Sequence, residues 1–272
     1  MSAALALLLG ATQGFSELFP LSSLGILVIL PHALHIPFRM TGAHYLPFVV
    51  ALHVGTALAL LLYFLGTWVR LVSGAFRSLT GHPNDQGRLL GRIVIATIPA
   101  GLVGYLFKAP LASLFAMPVF SGALLILNGL VLLLADAWHR RRPQKSSAAD
   151  LSDSDALSVG LFQMFALFPG LSRSGLAMTG GLRLGLSYEE AARFAFLLAT
   201  PIIGAAGLLE IPKLAHAHAS GLLGPAILGG LAAAVVAFLS THFLLRYFER
   251  GNLRIFAVFS MILGVLGLVL IG

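Results

Sequence analysis

The chain is 272 residues long, 58% hydrophobic and only 10% charged, whereas a soluble domain is typically about a quarter charged. That balance excludes a sizeable soluble domain and points to a polytopic membrane protein. The formal net charge of +7 sits in short clusters (Arg70, Arg77, Arg88 and Arg92; Arg140, Arg141, Arg142 and Lys145; Arg246, Arg250 and Arg254), which read as cytoplasmic loops rather than a nucleic-acid surface, and the lack of cysteine excludes disulfide and thiolate chemistry.

In chain order, residues 1–46 come first. Their opening "MSAALALLLGATQG" lacks the basic start of a secretory signal and is expected to remain in the mature protein. The segment is interrupted by "GFSELFPLSSLG" at 14–25. Full crossings, each near the ~20 apolar residues a bilayer requires, are expected at 47–66, 92–107 and 114–135. The basic loop 67–91 separates the first two, and a connection at 108–113 separates the next two. A linker at 136–157 follows, whose acidic run "DLSDSD" (150–155) reads as a solvated loop. Residues 158–191 are interrupted by "ALFPGLSRSGLAMTGG" at 166–181. Arg183, Glu189, Glu190 and Arg193 at the end of this segment read as an interfacial ion-pair set. Crossings at 192–211, 222–245 and 255–272 complete the chain, joined by a connection at 212–221 and the basic loop 246–254.

Placing the three basic loops inside makes all six crossings alternate. Segments 1–46 and 158–191 must then each begin and end on one side, as helical hairpins that dip in from opposite faces. Broken backbone at membrane depth is tolerated only where protein or a wet cavity surrounds it. The expectation is an all-α polytopic membrane protein with an inverted repeat. Each repeat has a re-entrant hairpin and three crossings: residues 1–145 form the first and 158–272 the second. "LFPLSS" (18–23) and "LFPGLSRS" (167–174) fall at corresponding places, and broken helices of inverted repeats commonly meet at a shared site.

Gln13 and Glu17, four residues apart, share a helix face; Pro20 ends that helix, and Ser22 and Ser23 lie in the break. In the second stretch Gly170 frees the backbone, Ser172 and Ser174 offer hydroxyls, and Arg173 offers a planar fork that matches phosphate. A carboxylate and an amide oxygen nearby suit a divalent cation or the activation of a nucleophile. The competing reading is a structural salt bridge between Glu17 and Arg173, although charges at the membrane centre cost about 2.5–3.5 kcal/mol and are seldom kept for packing alone. His53, inside the first crossing, is either an acid or base facing the site or a hydrogen-bonded packing residue.

At these residues the chain resembles the bacterial undecaprenyl-diphosphatase family, membrane phosphatases that recycle the lipid carrier of cell-wall synthesis. Gln13, Glu17, Pro20, Ser22 and Ser23 match one family motif; Pro169, Gly170, Ser172, Arg173 and Ser174 match the other. "LHVGTALA" (52–59) and "ATIPAGLVGYLF" (96–107) extend the likeness over nearly the whole chain. The resemblance implies six crossings with two re-entrant hairpins, in the bacterial cytoplasmic membrane. It also implies hydrolysis of a polyprenyl diphosphate at a site reached from the outer face, assisted by a divalent cation such as Mg²⁺ or Ca²⁺. Carried over by position, Glu17 and Gln13 bind metal or act as base, Ser23 with Ser22 is nucleophile or phosphate ligand, and Arg173 clamps phosphate. The chain departs from the family at Leu24 and Ile26 (usually threonine and histidine), at Ala177 (usually threonine) and at Phe259 and Ser260 (usually Tyr-Arg). Two other functions remain open on this scaffold: a lipid-phosphate transporter or binder, and a phosphatase of another lipid phosphate.

Overall fold

The computed structural model describes residues 1–33, 45–141, 147–216 and 221–271. The outgoing end of the first hairpin (34–44), Arg142 and Lys145 in the linker, and positions 217–220 of one predicted connection lie outside the described residues. Among the described residues the chain is built of helices, and six of these are long and apolar enough to cross a membrane. They are α3 (Tyr45–Tyr63), α5 (Asp85–Leu106), α7 (Pro118–His139), α10 (Tyr188–His216), α11 (Leu223–Phe248) and α12 (Arg254–Ile271). Each overlaps one crossing expected from hydropathy. The protein is an all-helical, polytopic membrane protein.

Two pairs of shorter helices carry the interrupted stretches. In the first, α1 (Ala3–Ser16) and α2 (Ser23–Ala33) flank the break around Pro20; in the second, α8 (Asp153–Met164) and α9 (Arg173–Arg183) flank the break around Pro169. The acidic run 150–155 is not a loop throughout, as expected above. Ser152 and Asp155 form a reciprocal capping box, and Asp153 and Asp155 occupy the first turn of α8, where carboxylates satisfy free amides and oppose the helix dipole.

The predicted loop 67–91 is also largely helical. Its first part is α4 (Leu65–Leu79), which hydropathy missed because its apolar residues lie along one stripe. Leu65, Val69, Val72, Phe76 and Leu79 are exposed along that stripe, while Leu71 and Gly74 are buried. Arg70 and Arg77 are exposed. A helix divided this way suits the membrane interface, with the stripe in acyl chains and the arginines among headgroups. The connection at 108–113 is a short helix, α6 (Lys108–Ser113).

The packing joins the two parts of the chain reciprocally. Helix α1 of the first hairpin lies along α11, and α8 of the second lies along α5; α7 packs on α12, and α3 on α10. Small residues let these backbones touch. A Cβ at Gly10 would run into the carbonyl oxygen of Gly229, and one at Gly160 would lie 2.5 Å from that of Ala96. Between the crossings sits a core that includes Leu18, Leu60, Leu182, Phe194 and Phe196, all fully buried.

This packing makes a direct prediction. Gly10→Leu meets backbone that no rotamer can clear, so the detergent-solubilised protein should lose roughly 5 °C or more in Tm, on the scale of core overpacking. Gly91→Leu, where an added Cβ meets nothing within 4 Å, should stay within about 2 °C, because the gain in helix propensity is small. Thermal unfolding followed by light scattering reads both.

Candidate active site

The two helix breaks satisfy one another. Ser22 holds a positive φ of 67°, a strained conformation for a residue with a Cβ. In it the Ser22 hydroxyl oxygen accepts from Gly25 N at 3.2 Å and from Gly170 N at 3.1 Å, across the two hairpins. Gly170, at φ 112°, has no room for a side chain, since a Cβ would sit 2.5 Å from the Ser121 carbonyl oxygen. From the second break, the Ser174 hydroxyl lies 3.2 and 3.3 Å from the carbonyl oxygens of Glu17 and Phe19 and donates to them. Ser172 caps α9 by accepting from Gly175 N.

Asn128 of α7 ties both breaks to a crossing. Its Nδ2 donates to the Pro20 carbonyl at 3.0 Å and to Ser260 Oγ at 3.1 Å, while its Oδ1 accepts from Ser172 N at 2.9 Å. Ser260 in turn donates to the Leu125 carbonyl. Residue by residue, backbone groups freed by the breaks find side-chain partners, as a low-dielectric interior requires.

Glu17 stands at the centre of what results. Arg173 Nε donates to its Oε1 at 3.0 Å. Its Oε2 accepts from Ser23 Oγ at 2.5 Å and from Gln13 Nε2 at 3.1 Å. His53 Nε2 approaches the same oxygen at 3.3 Å, while its Nδ1 is 2.9 Å from the Val49 carbonyl oxygen. A carbonyl can only accept, so Nδ1 carries a hydrogen and Nε2 is the ring nitrogen that faces the Glu17 carboxylate. Arg173 Nη1 donates to the Ala195 carbonyl at 3.0 Å, which fixes the guanidinium to α10. Among the described residues its Nη2 is buried without a hydrogen-bond partner, and so is Gln13 Oε1.

These groups form one end of a cavity of about 270 Å³. Glu17, Ser22, Ser23, His53, Ser172 and Arg173 contribute polar lining, and most of the remaining wall is apolar, drawn from α3, α5 and α10. A site of this kind, one polar cluster at the end of an apolar chamber, suits an amphiphile with an anionic head.

The structure therefore brings together Gln13, Glu17, Ser22, Ser23, Ser172 and Arg173, and adds His53 from a separate crossing. Gly170 and Ser174 do not line the cavity: Gly170 N donates to the Ser22 hydroxyl, and Ser174 donates to carbonyls of the first break. The expected salt bridge of Glu17 with Arg173 is present, but it uses only one face of the fork. Leu24 lines the cavity, and Ile26 packs against the main core. Thr179 is buried and donates to Gly175 O, Ala177 is buried in the core, and Phe259 is exposed. Arg193 lies 3.0 Å from Glu189 and 3.7 Å from Glu190, an i,i+4 and i,i+3 set. Sequence reasoning missed Asn128, whose signal was a lone amide inside an apolar run. It also missed Lys108 and Glu210 at the far end of the cavity.

Fold and site together define a membrane-embedded protein whose charged centre is assembled from two broken helices. The chain matches the family described as bacitracin resistance protein BacA over residues 6–266, and it belongs to that family. It is 48% identical over 278 residues to an undecaprenyl-diphosphatase of Acidiphilium cryptum, covering 100% of this chain and 99% of that one. It is 46% identical over 258 residues to undecaprenyl-diphosphatase 1 of Burkholderia pseudomallei and to undecaprenyl-diphosphatase 2 of Burkholderia thailandensis, covering 94% of this chain and 92% of each relative.

Asn128→Leu keeps the volume but strips Ser172 N and the Pro20 carbonyl of their partners. Leaving buried groups unsatisfied costs about 1–3 kcal/mol each. The variant should lose stability by roughly that amount or more, seen as a lower Tm, and the Glu17 cluster should loosen with it.

Proposed function

We propose that this protein hydrolyses undecaprenyl diphosphate to the monophosphate and phosphate in the bacterial cytoplasmic membrane. The observation that carries this reading is the set of groups left free around Glu17. A carboxylate accepts from the Ser23 hydroxyl, while Nη2 of a fixed, cavity-lining arginine has no hydrogen-bond partner among the described residues. Membership of the BacA family and the names of the relatives point to the same reaction.

In the mechanism that fits this geometry, the lipid tail lies in the apolar chamber and its diphosphate meets Arg173. Arg173 Nη2, already desolvated, contacts the terminal phosphate, and the guanidinium counters the charge gathering on its oxygens. Glu17 takes the proton of Ser23 as Oγ attacks the terminal phosphorus. The bond from that phosphorus to the bridging oxygen breaks, and the lipid monophosphate leaves with a proton from the His53–Glu17 pair. Water then attacks the phosphoserine; its proton returns through Glu17, and phosphate departs with Ser23 restored. His53 thus stands in for the histidine that the family carries where this chain has Ile26.

A divalent cation fits the donor set. Gln13 Oε1 is buried and unpartnered on the same helix face as Glu17. No group of three or more His, Asp or Glu that could hold an ion occurs among the described residues, so diphosphate oxygens would complete the shell, as is usual for Mg²⁺. When bound, the ion would neutralise diphosphate charge.

The reciprocal packing of α1 on α11 and α8 on α5 supports two inverted repeats, 1–145 and 158–272. The basic clusters support cytoplasmic placement of 67–91, 136–157 and 246–254. The cavity then opens toward the outer face, where α6 and the end of α10 lie.

Phosphate release by purified protein from the C55 diphosphate tests the function. Arg173→Lys keeps the charge and loses the fork; kcat should fall by roughly a hundredfold or more, the scale of one preorganised donor. Binding of the lipid without turnover, lost in Arg173→Lys, would replace the phosphatase with a lipid-phosphate binder or transporter. Orientation is checked separately, in a chain with no native cysteine. A cysteine placed at Ser147 should resist an impermeant thiol reagent in intact cells and react once they are opened.

A further inference from the structure

The cavity has a second charged pair, at the end away from Glu17. Lys108, the first residue of α6, and Glu210, near the end of α10, both line it and form an ion pair. They are 102 positions apart in sequence, so the contact joins the outer ends of two neighbouring elements across the chamber. The Glu210 side chain is 6% exposed, whereas that of Lys108 is 35% exposed. The carboxylate is therefore fixed, and the ammonium, on its flexible stem, is the partner able to turn toward an arriving ligand.

Ala100, Gly101, Gly104 and Tyr105 of α5 line the cavity, and Lys108 opens α6 just beyond the end of α5 at Leu106. Along α10, Glu210 lies fifteen residues beyond Ala195, whose carbonyl holds Arg173, a separation of roughly 22 Å at about 1.5 Å per residue. Lys108, paired with Glu210, thus stands well apart from the Glu17 cluster. An anion drawn into an apolar passage needs a positive group at the opening, where a low-dielectric wall concentrates the field. Among the described residues, Lys108 and Glu210 are the charged groups lining this end, and the lysine is paired with the carboxylate at rest.

The geometry points to Lys108 as a separate arrival station for a phosphate-bearing ligand, masked by Glu210 until the anion displaces it. This assignment rests on the reading of the cavity as a lipid diphosphate site. The chemistry is that of a phosphate group, carried by the incoming lipid head or by the phosphate that leaves after hydrolysis. Release of Lys108 to the anion removes the tie between α6 and α10, so arrival of the ligand and opening of the passage are one event.

The test uses the full-length protein in nanodiscs and a non-hydrolysable probe, a polyprenyl methylenediphosphonate, with its association rate measured by stopped-flow. Lys108→Met should slow association about tenfold, as loss of a steering charge does, and the difference should shrink at high salt. Glu210→Gln unmasks the lysine and should speed association several-fold. Lys108→Arg, which keeps the charge, should stay near wild type and serves if Lys108→Met folds poorly. Opposite effects of the two neutralising variants on lipid association identify the incoming head as the ligand. Opposite effects confined to inhibition by inorganic phosphate assign the station to the leaving group. Equal effects in one direction, or none in either assay, would make the pair a plain structural tie and overturn the proposal. Because the probe is not hydrolysed, this result is independent of phosphate release, which tests the catalytic reading by itself.

Discussion

A backbone that breaks at membrane depth must hydrogen-bond to something other than water, and most of this protein's central architecture follows from that constraint. Neither break here is self-sufficient. Ser22 accepts from the backbone of the second break, Ser174 donates to carbonyls of the first, and Asn128 serves both. The hairpins are therefore obligatory partners. Separating them would strand several buried amides and carbonyls, each at a cost of about 1–3 kcal/mol.

The same cross-linking explains how charge is tolerated in the centre. Glu17 is 5% exposed, yet four side chains from four helices surround its carboxylate. Removing one partner of such a buried pair is far more costly than the pair is worth, so the cluster is held together by the penalty for its loss. Because the anchoring is so complete, the exceptions carry information. Among the described residues Arg173 Nη2 and Gln13 Oε1 are buried with nothing to bond, one a donor able to meet an anion and the other an acceptor able to meet a cation.

The surroundings divide the labour. The walls drawn from α3, α5 and α10 are mostly apolar, and the polar cluster lies at one end of them. At the other end Lys108 and Glu210 meet. A ligand with both a long apolar tail and an anionic terminus is the one chemistry that uses every part of this lining.

Much of this was legible in the linear chain. The six crossings follow from apolar run length, since a bilayer sets a minimum span that sequence displays directly, and the two breaks follow from proline, glycine and serine in otherwise apolar segments. Gln13, Glu17, Ser22, Ser23, Ser172 and Arg173, which the structure brings together, were singled out because polar groups in such segments are costly to keep. Other features were decided only in three dimensions. Helix α4 escaped notice because its apolar stripe is diluted by polar residues along the chain and becomes continuous only around a helix. The acidic run at 150–155 read as a loop because charge alone does not distinguish a solvated turn from a capped helix start. Asn128, and the choice of His53 as a partner of Glu17 over a packing role, depended on which faces of α7 and α3 turn inward. Lys108 and Glu210 met because helix packing brings together residues that lie far apart in sequence. Apolar length and local polarity are properties of a segment and are written in its residues; contact across helices belongs to their packing, and no single segment contains it.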